Sequence, residues 1–97
     1  MSVSIATAAE AELAVAANFY LREAGTTISR AFVTEFERAV DLLELQPELG
    51  AIWRRSIRRL PLRRFPCFVP YEVRPSEIRV LAVAHQRRKP GFWTGRT

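Results

Sequence analysis

The chain has 97 residues, 48% of them apolar, and a formal net charge of +5, which bounds it to one folded domain with a modest core and excludes a disordered polyelectrolyte. The single cysteine, Cys67, excludes an internal disulfide and a multi-cysteine metal site and fits a reducing compartment; no cofactor or metal is implied. The apolar run Val80–Ala84 is far short of a membrane span, and Met1-Ser2-Val3-Ser4-Ile5 lacks the basic start and long apolar stretch of a signal peptide, so a cytoplasmic protein is expected.

The modest net charge conceals a division. Residues 1–50 carry three arginines against eight carboxylates, a balance of −5, while residues 51–97 carry twelve cations against two carboxylates, a balance of +10. Eleven of those twelve cations are arginine, the planar fork that pairs with carboxylate or phosphate through two parallel hydrogen bonds. Such a half is either a solubilising surface or a docking surface for an anionic partner, nucleic acid or an acidic protein segment.

Taken in order, Val3-Ser4-Ile5 alternates as a short strand. Thr7-Ala8-Ala9-Glu10 has the spacing of a capping box, which predicts a helix from there to Glu23. Ala9, Leu13, Ala16, Ala17 and Tyr20 fall on one face of it, and the alanines let a second helix approach closely. Gly25 stops this helix. A second helix is predicted from about Ile28 to Leu45, with Thr27 or Ser29 as its cap. Its stripe is Ile28, Phe32, Phe36, Ala39, Val40 and Leu43, and Gln46-Pro47 ends it. Phe32 and Phe36 read as core. Pro47 to Ala51 reads as a turn-rich connection with Trp53 at its end, either sealing the joint between helices and sheet or touching a partner.

Three β-like runs follow, Ile57–Leu62, Phe65–Arg74 and Glu77–His85, separated at Arg63-Arg64 and Pro75-Ser76. Breaks this short predict an antiparallel three-strand meander. In the middle run Phe65, Cys67, Val69, Tyr71 and Val73 form the core face, so Cys67 reads as a buried small hydrophobe. Pro70 cannot donate to a ladder, which predicts a bulge or an unpaired position there. The last run does not alternate beyond Arg79, so both of its faces need cover. The fold class expected is α+β: an N-terminal strand, an αα-hairpin, and a meander with the helices on one face only. The other face of Val80–Ala84 is expected to be partly bare and to mark a partner site.

These residues resemble the RelE/ParE toxin superfamily of type II toxin–antitoxin systems, and more closely its ParE-like members, also called plasmid stabilisation proteins. The resemblance rests on Ala9-Glu10-Ala11-Glu12-Leu13, Phe19-Tyr20, Pro47-Glu48-Leu49-Gly50, Arg59-Leu60, Phe65-Pro66 leading to Tyr71-Glu72-Val73, Ile78 through His85, and Arg87-Arg88-Lys89-Pro90-Gly91-Phe92-Trp93. It implies a growth-inhibiting toxin neutralised by a cognate antitoxin, whose flexible, often acidic segment wraps the helices and sheet. ParE-type members act on DNA gyrase; RelE-type members cleave mRNA on the ribosome.

RNA cleavage needs a group to take the 2′-hydroxyl proton, one to protonate the leaving oxygen, and cations at the phosphate. Lys89 is the only lysine and no tyrosine follows Tyr71. Gln86 stands where RelE-like enzymes commonly carry an arginine, and Phe92 and Trp93 cannot trade protons. His85 is the one acid–base candidate, read first as a structural residue at the strand end. The expected function is therefore a ParE-like gyrase inhibitor, more readily a non-enzyme than an enzyme. The alternatives are a ribosome-dependent endoribonuclease with His85 as base and Arg87 and Arg88 on the phosphate, or a basic nucleic-acid-binding module. The expected target contacts are Arg58, Arg63, Arg64, His85, Arg87, Arg88, Lys89 and Trp93. The expected antitoxin contacts are Tyr20, Trp53, Phe68, Leu81 and Val83.

Overall fold

The computed structural model describes residues 1–86. Strand β1 (Val3–Ile5) leads into helix α1 (Thr7–Ala24), and helix α2 (Thr26–Leu45) returns antiparallel to it as a hairpin. Then come β2 (Ala51–Arg54), β3 (Ile57–Pro61), β4 (Cys67–Val73), β5 (Ile78–Val80) and β6 (Ala84–His85). The sheet order is β1-β5-β4-β3-β2, with β6 also paired to β4. The meander is antiparallel throughout, and β1 joins it in parallel through Val3↔Ile78, Ser4↔Arg79 and Ile5↔Val80. The α+β architecture expected from the pattern is present, with two more strands: β2 occupies part of what reads in sequence as a turn-rich connection, and the last expected strand is divided into β5 and β6.

The hairpin of helices covers one face of the sheet. Phe32, Phe36, Ala39 and Leu43 from α2 are buried against Cys67, Val69, Tyr71, Ile78 and Val80. Helix α1 is the outer helix. Ala9 is fully buried, while Leu13, Ala16, Ala17 and Tyr20 lie half-buried against the core. Its alanines keep the two helices close enough for the Ser29 hydroxyl to donate to the Ala17 carbonyl at 2.7 Å. That bond answers the capping question differently from the sequence. Neither helix has a side-chain cap: Ala6 precedes α1, so Thr7 and Glu10 form no capping box, and Ser29 is engaged across the hairpin. Gly25 joins the helices at φ 94° and ψ 173°, a region essentially closed to other residues.

Pro70 breaks the ladder as expected. Its carbonyl accepts from the Leu81 amide at 3.0 Å. The position where it lacks an N–H therefore faces β5 and β6, since both groups of one strand residue point the same way. There the pairing jumps from Tyr71↔Val80 to Phe68↔Ala84, so Val69 and Pro70 oppose the three residues Leu81, Ala82 and Val83. A bulge results, and it divides what the sequence reads as one continuous strand, Glu77–His85, into β5 and β6. The Glu12 carboxylate on α1 takes up the Val83 amide at 3.1 Å within the bulge.

Two further expectations change. Phe65 lies in the β3–β4 turn rather than in the strand, and packs its ring 5.2 Å from Tyr20 and 5.1 Å from Phe32. The helix-free face of the last strands is not bare: Leu81 and Ala82 are buried, with Trp53 and Ile57 packed against them. The cause is β2. A bulge between Ile52 and Arg54 turns Trp53 onto that face, where its ring meets Phe68 edge-on at 4.9 Å. Trp53 therefore does not seal the joint between helices and sheet.

Candidate functional site

A groove of about 930 Å³ runs between α1 and the β4–β6 end of the sheet. Ala11, Val15, Ala16 and Phe19 form its helical wall, and Pro66, Cys67, Val83 and His85 the opposite one. Val15 is 70% exposed and Phe19 49% exposed, an unusual way to display two large apolar side chains one turn apart. They are displayed because α1 turns Ala9, Leu13, Ala17 and Tyr20 toward the core, which leaves Val15 and Phe19 facing outward. The short β6 strand forms the other rim, and its pairing runs to β4.

The polar groups of the groove are mostly engaged within the fold. Glu12 holds the Val83 amide. The Tyr20 hydroxyl donates to the Cys67 sulfur; burial first, and then the thiol beside it, push the Tyr20 hydroxyl above its ordinary range. Burial likewise pushes the Cys67 thiol up, partly offset by the Tyr20 hydrogen bond. Both groups therefore stay protonated and neutral near pH 7, and Cys67 is a core residue at the groove floor rather than a nucleophile. No arginine or lysine among the described residues lines the groove.

The residues expected to contact a target separate. Gln86 donates its amide to the Pro66 carbonyl at 3.0 Å, which brings His85 to the same end of the sheet as the Arg63-Arg64 turn. Arg63, Arg64 and His85 are all exposed there. Arg64 adopts φ 70°, a conformation costly for a residue with a Cβ, and the Arg63 amide is held by Glu35 at 2.6 Å. Arg58 is elsewhere. Its guanidinium donates to the Gly50 carbonyl at 2.8 Å and the Glu48 carbonyl at 3.2 Å, so it is engaged in fastening the 47–50 turn. Arg87, Arg88, Lys89 and Trp93 lie outside the described residues.

The residues expected to contact an antitoxin also divide. Tyr20 and Val83 line the groove. Trp53, Phe68 and Leu81 cluster on the helix-free face, and Phe68 and Leu81 are buried there. Sequence reasoning assigned no contact to Val15 or Phe19, because the groove they flank takes its other wall from the distant β4–β6 end of the sheet. It also overlooked Arg59, whose guanidinium lies over the Trp53 and Phe68 rings at 5.3 and 5.6 Å. Among the described residues no cluster of histidine, cysteine and carboxylate could hold a metal ion, and no helix is long and apolar enough to cross a membrane.

Residues 3–90 match the family described as ParE toxin of type II toxin-antitoxin system, parDE. The chain belongs to the ParE toxin family. A ParE toxin is one half of a two-component system whose other half is an antitoxin. The structure is similar to a chain of the chromosomal ParDE toxin–antitoxin system from P. aeruginosa, with a TM-score of 0.78 and 25% sequence identity, covering 88% of this chain and 95% of that one. No curated protein matches the sequence.

Proposed function

We propose that this ParE toxin arrests growth by acting on DNA gyrase and is neutralised by a ParD-type antitoxin whose apolar segment seats in the groove between α1 and β6. The observation that carries the reading is the groove itself. It is apolar, has Val15 and Phe19 exposed on its rim, and has no arginine or lysine among its described lining. Those features suit a hydrophobic helix or strand from a partner and do not suit a phosphodiester undergoing cleavage. The cationic turn at Arg63 and Arg64, together with His85, adjoins the groove. We assign target contact to this end, with Arg87, Arg88, Lys89 and Trp93 continuing it in sequence. A partner seated in the groove would then lie next to the target-contacting end, so one binding event could mask both.

The alternative, a ribosome-dependent endoribonuclease, would require His85 to work with a proton donor and a cation. The other polar side chains among the described lining of the groove are a neutral tyrosine–thiol pair and a carboxylate that accepts from a backbone amide. A supercoiling assay with purified gyrase decides between the readings. Loss of supercoiling with accumulation of cleaved-DNA complexes at micromolar toxin is expected. Unimpaired gyrase, together with cleavage of translated mRNA that His85→Ala abolishes, would overturn the reading.

A further inference from the structure

The large apolar side chains left exposed by the fold do not all gather at the groove. Ile52, within β2, is 67% exposed, and Leu49 just before the strand is 42% exposed. Among the described residues β2 is the last strand of the sheet, paired on one side to β3. Its other side presents backbone donors and acceptors to solvent. Ala51, Arg54 and Arg55 are exposed along it as well. The bulge between Ile52 and Arg54 shortens this edge but leaves Ile52 in register with Arg58. Charge stands at the two ends of the strand and not at its middle. Glu48 precedes it, with a side chain 80% exposed and only loosely held by Arg58 at 3.6 Å. Arg54 and Arg55 close it, with Arg55 at φ 48° where the chain turns into β3. The edge therefore runs from acid through an exposed isoleucine to base.

We propose that β2 pairs with β2 of a second copy of this chain, antiparallel about a two-fold axis at Ile52, joining the two sheets into one. That pairing sets Ile52 against Ile52 as a cross-strand apolar contact. It also brings Glu48 of each copy to the end of the other strand that carries Arg54 and Arg55, and the symmetry makes both ends alike. The order of the charges selects this occupant. A purely acidic strand would meet Arg54 and Arg55 but set a carboxylate against Glu48, and a purely basic strand would do the reverse. A segment running from acid through apolar to base satisfies both ends when it lies antiparallel, and a second copy presents that segment. Four residues with a bulge make a small contact, and two copies each of net charge +5 repel one another at long range. The dimer is therefore weak and transient. The inference is independent of the gyrase reading and of the antitoxin groove, which lies between α1 and the β4–β6 end of the sheet.

The test is sedimentation equilibrium of the purified chain from micromolar to millimolar concentration, at about 0.15 M salt. A monomer–dimer equilibrium is expected. Ile52→Arg should weaken it about a hundredfold, and Glu48→Arg or Arg55→Glu alone about tenfold. Glu48→Arg and Arg55→Glu together should recover most of the lost association, which a merely local disturbance would not do. Arg30→Gln, an exposed charge on α2, should leave it unchanged. Circular dichroism checks that each variant is folded. Should Ile52→Arg unfold, Ile52→Thr replaces it and should still weaken the dimer. A chain that stays monomeric throughout the range overturns the inference. So does a dimer that Ile52→Arg leaves intact, a paired charge swap that fails to compensate, or a dimer that Val15→Arg abolishes instead, which would put the contact at the groove. Supercoiling by gyrase and antitoxin affinity are measured separately, so a negative result in either leaves this test intact.

Discussion

Single side chains in this fold hold backbone as often as they face solvent. The Tyr71 hydroxyl accepts from the buried Gly50 amide and donates to the Pro47 carbonyl, both at 2.8 Å, while Arg58 fastens the carbonyls of the same turn. Burial above all raises the Tyr71 pKa, so the hydroxyl remains protonated and able to donate. Glu35 does similar work at the other end of the sheet. Its carboxylate receives two bonds from Arg38 at 2.7 Å and the Arg63 amide at 2.6 Å, fixing the arginine-rich turn to α2. The Arg38 bonds first, and the Arg63 amide with them, hold the Glu35 carboxyl below its ordinary range against the opposing effect of burial. A depressed carboxyl contributes stability that is present above the unfolded pKa, ~4.3 for glutamate, and lost as pH falls through the lower folded value. Glu35→Gln should therefore cost about 1–2 kcal/mol at pH 7, measured by urea denaturation. The gap between variant and wild type should narrow below about pH 4. None of this was legible in the sequence. Arg58 there is one cation among twelve, and its engagement with the 47–50 turn depends on a strand the pattern did not reveal.

Among the elements, the helices and β4 were legible because their stripes are long and their stops, Gly25 and Pro47, act locally. Strand β2 was missed for a physical reason. It is four residues long, lies at the sheet edge and carries a bulge, so Ala51-Ile52-Trp53-Arg54 does not alternate cleanly. Its consequence is large, since it covers Leu81 and Ala82 and removes the bare face expected there. The break at Pro70 was legible because a missing donor is a property of the residue itself. The two connecting glycines offer a contrast that tests these element contacts. A Cβ at Gly50 would lie 2.6 Å from the Arg59 carbonyl oxygen and 2.8 Å from a Tyr71 ring carbon, so β2 cannot reach β3 without displacement of backbone. At Gly25 a Cβ meets nothing within 4 Å, and the penalty is conformational. Gly25→Ala should cost about 1–3 kcal/mol with groove and sheet intact. Gly50→Ala should cost at least about 1–3 kcal/mol and also loosen β2. Amide exchange separates them: faster exchange confined to β2 and β3 is expected only for Gly50→Ala.

At the scale of the molecule, the division of charge along the chain becomes a division of surfaces. The acidic half folds as the helical hairpin, whose outer helix presents an apolar wall to the groove, and the basic half folds as the sheet that carries the arginine turns. The ParE family and its fold were within reach of the sequence, since they depend on the order of many weak signals. The groove was not, because its second wall is the β4–β6 end of the sheet, and no local pattern places that end against α1. The central claim is that this groove seats the antitoxin, and Val15 tests it most directly because it is 70% exposed and can be changed without disturbing the core. The measurement is the affinity of the cognate antitoxin for wild type, Val15→Arg and Ile52→Arg, the last being an exposed apolar residue on the far sheet edge. Val15→Arg should bind about a hundredfold more weakly, as expected for a buried interface anchor, with Ile52→Arg unchanged. Equal binding of all three would contradict the account.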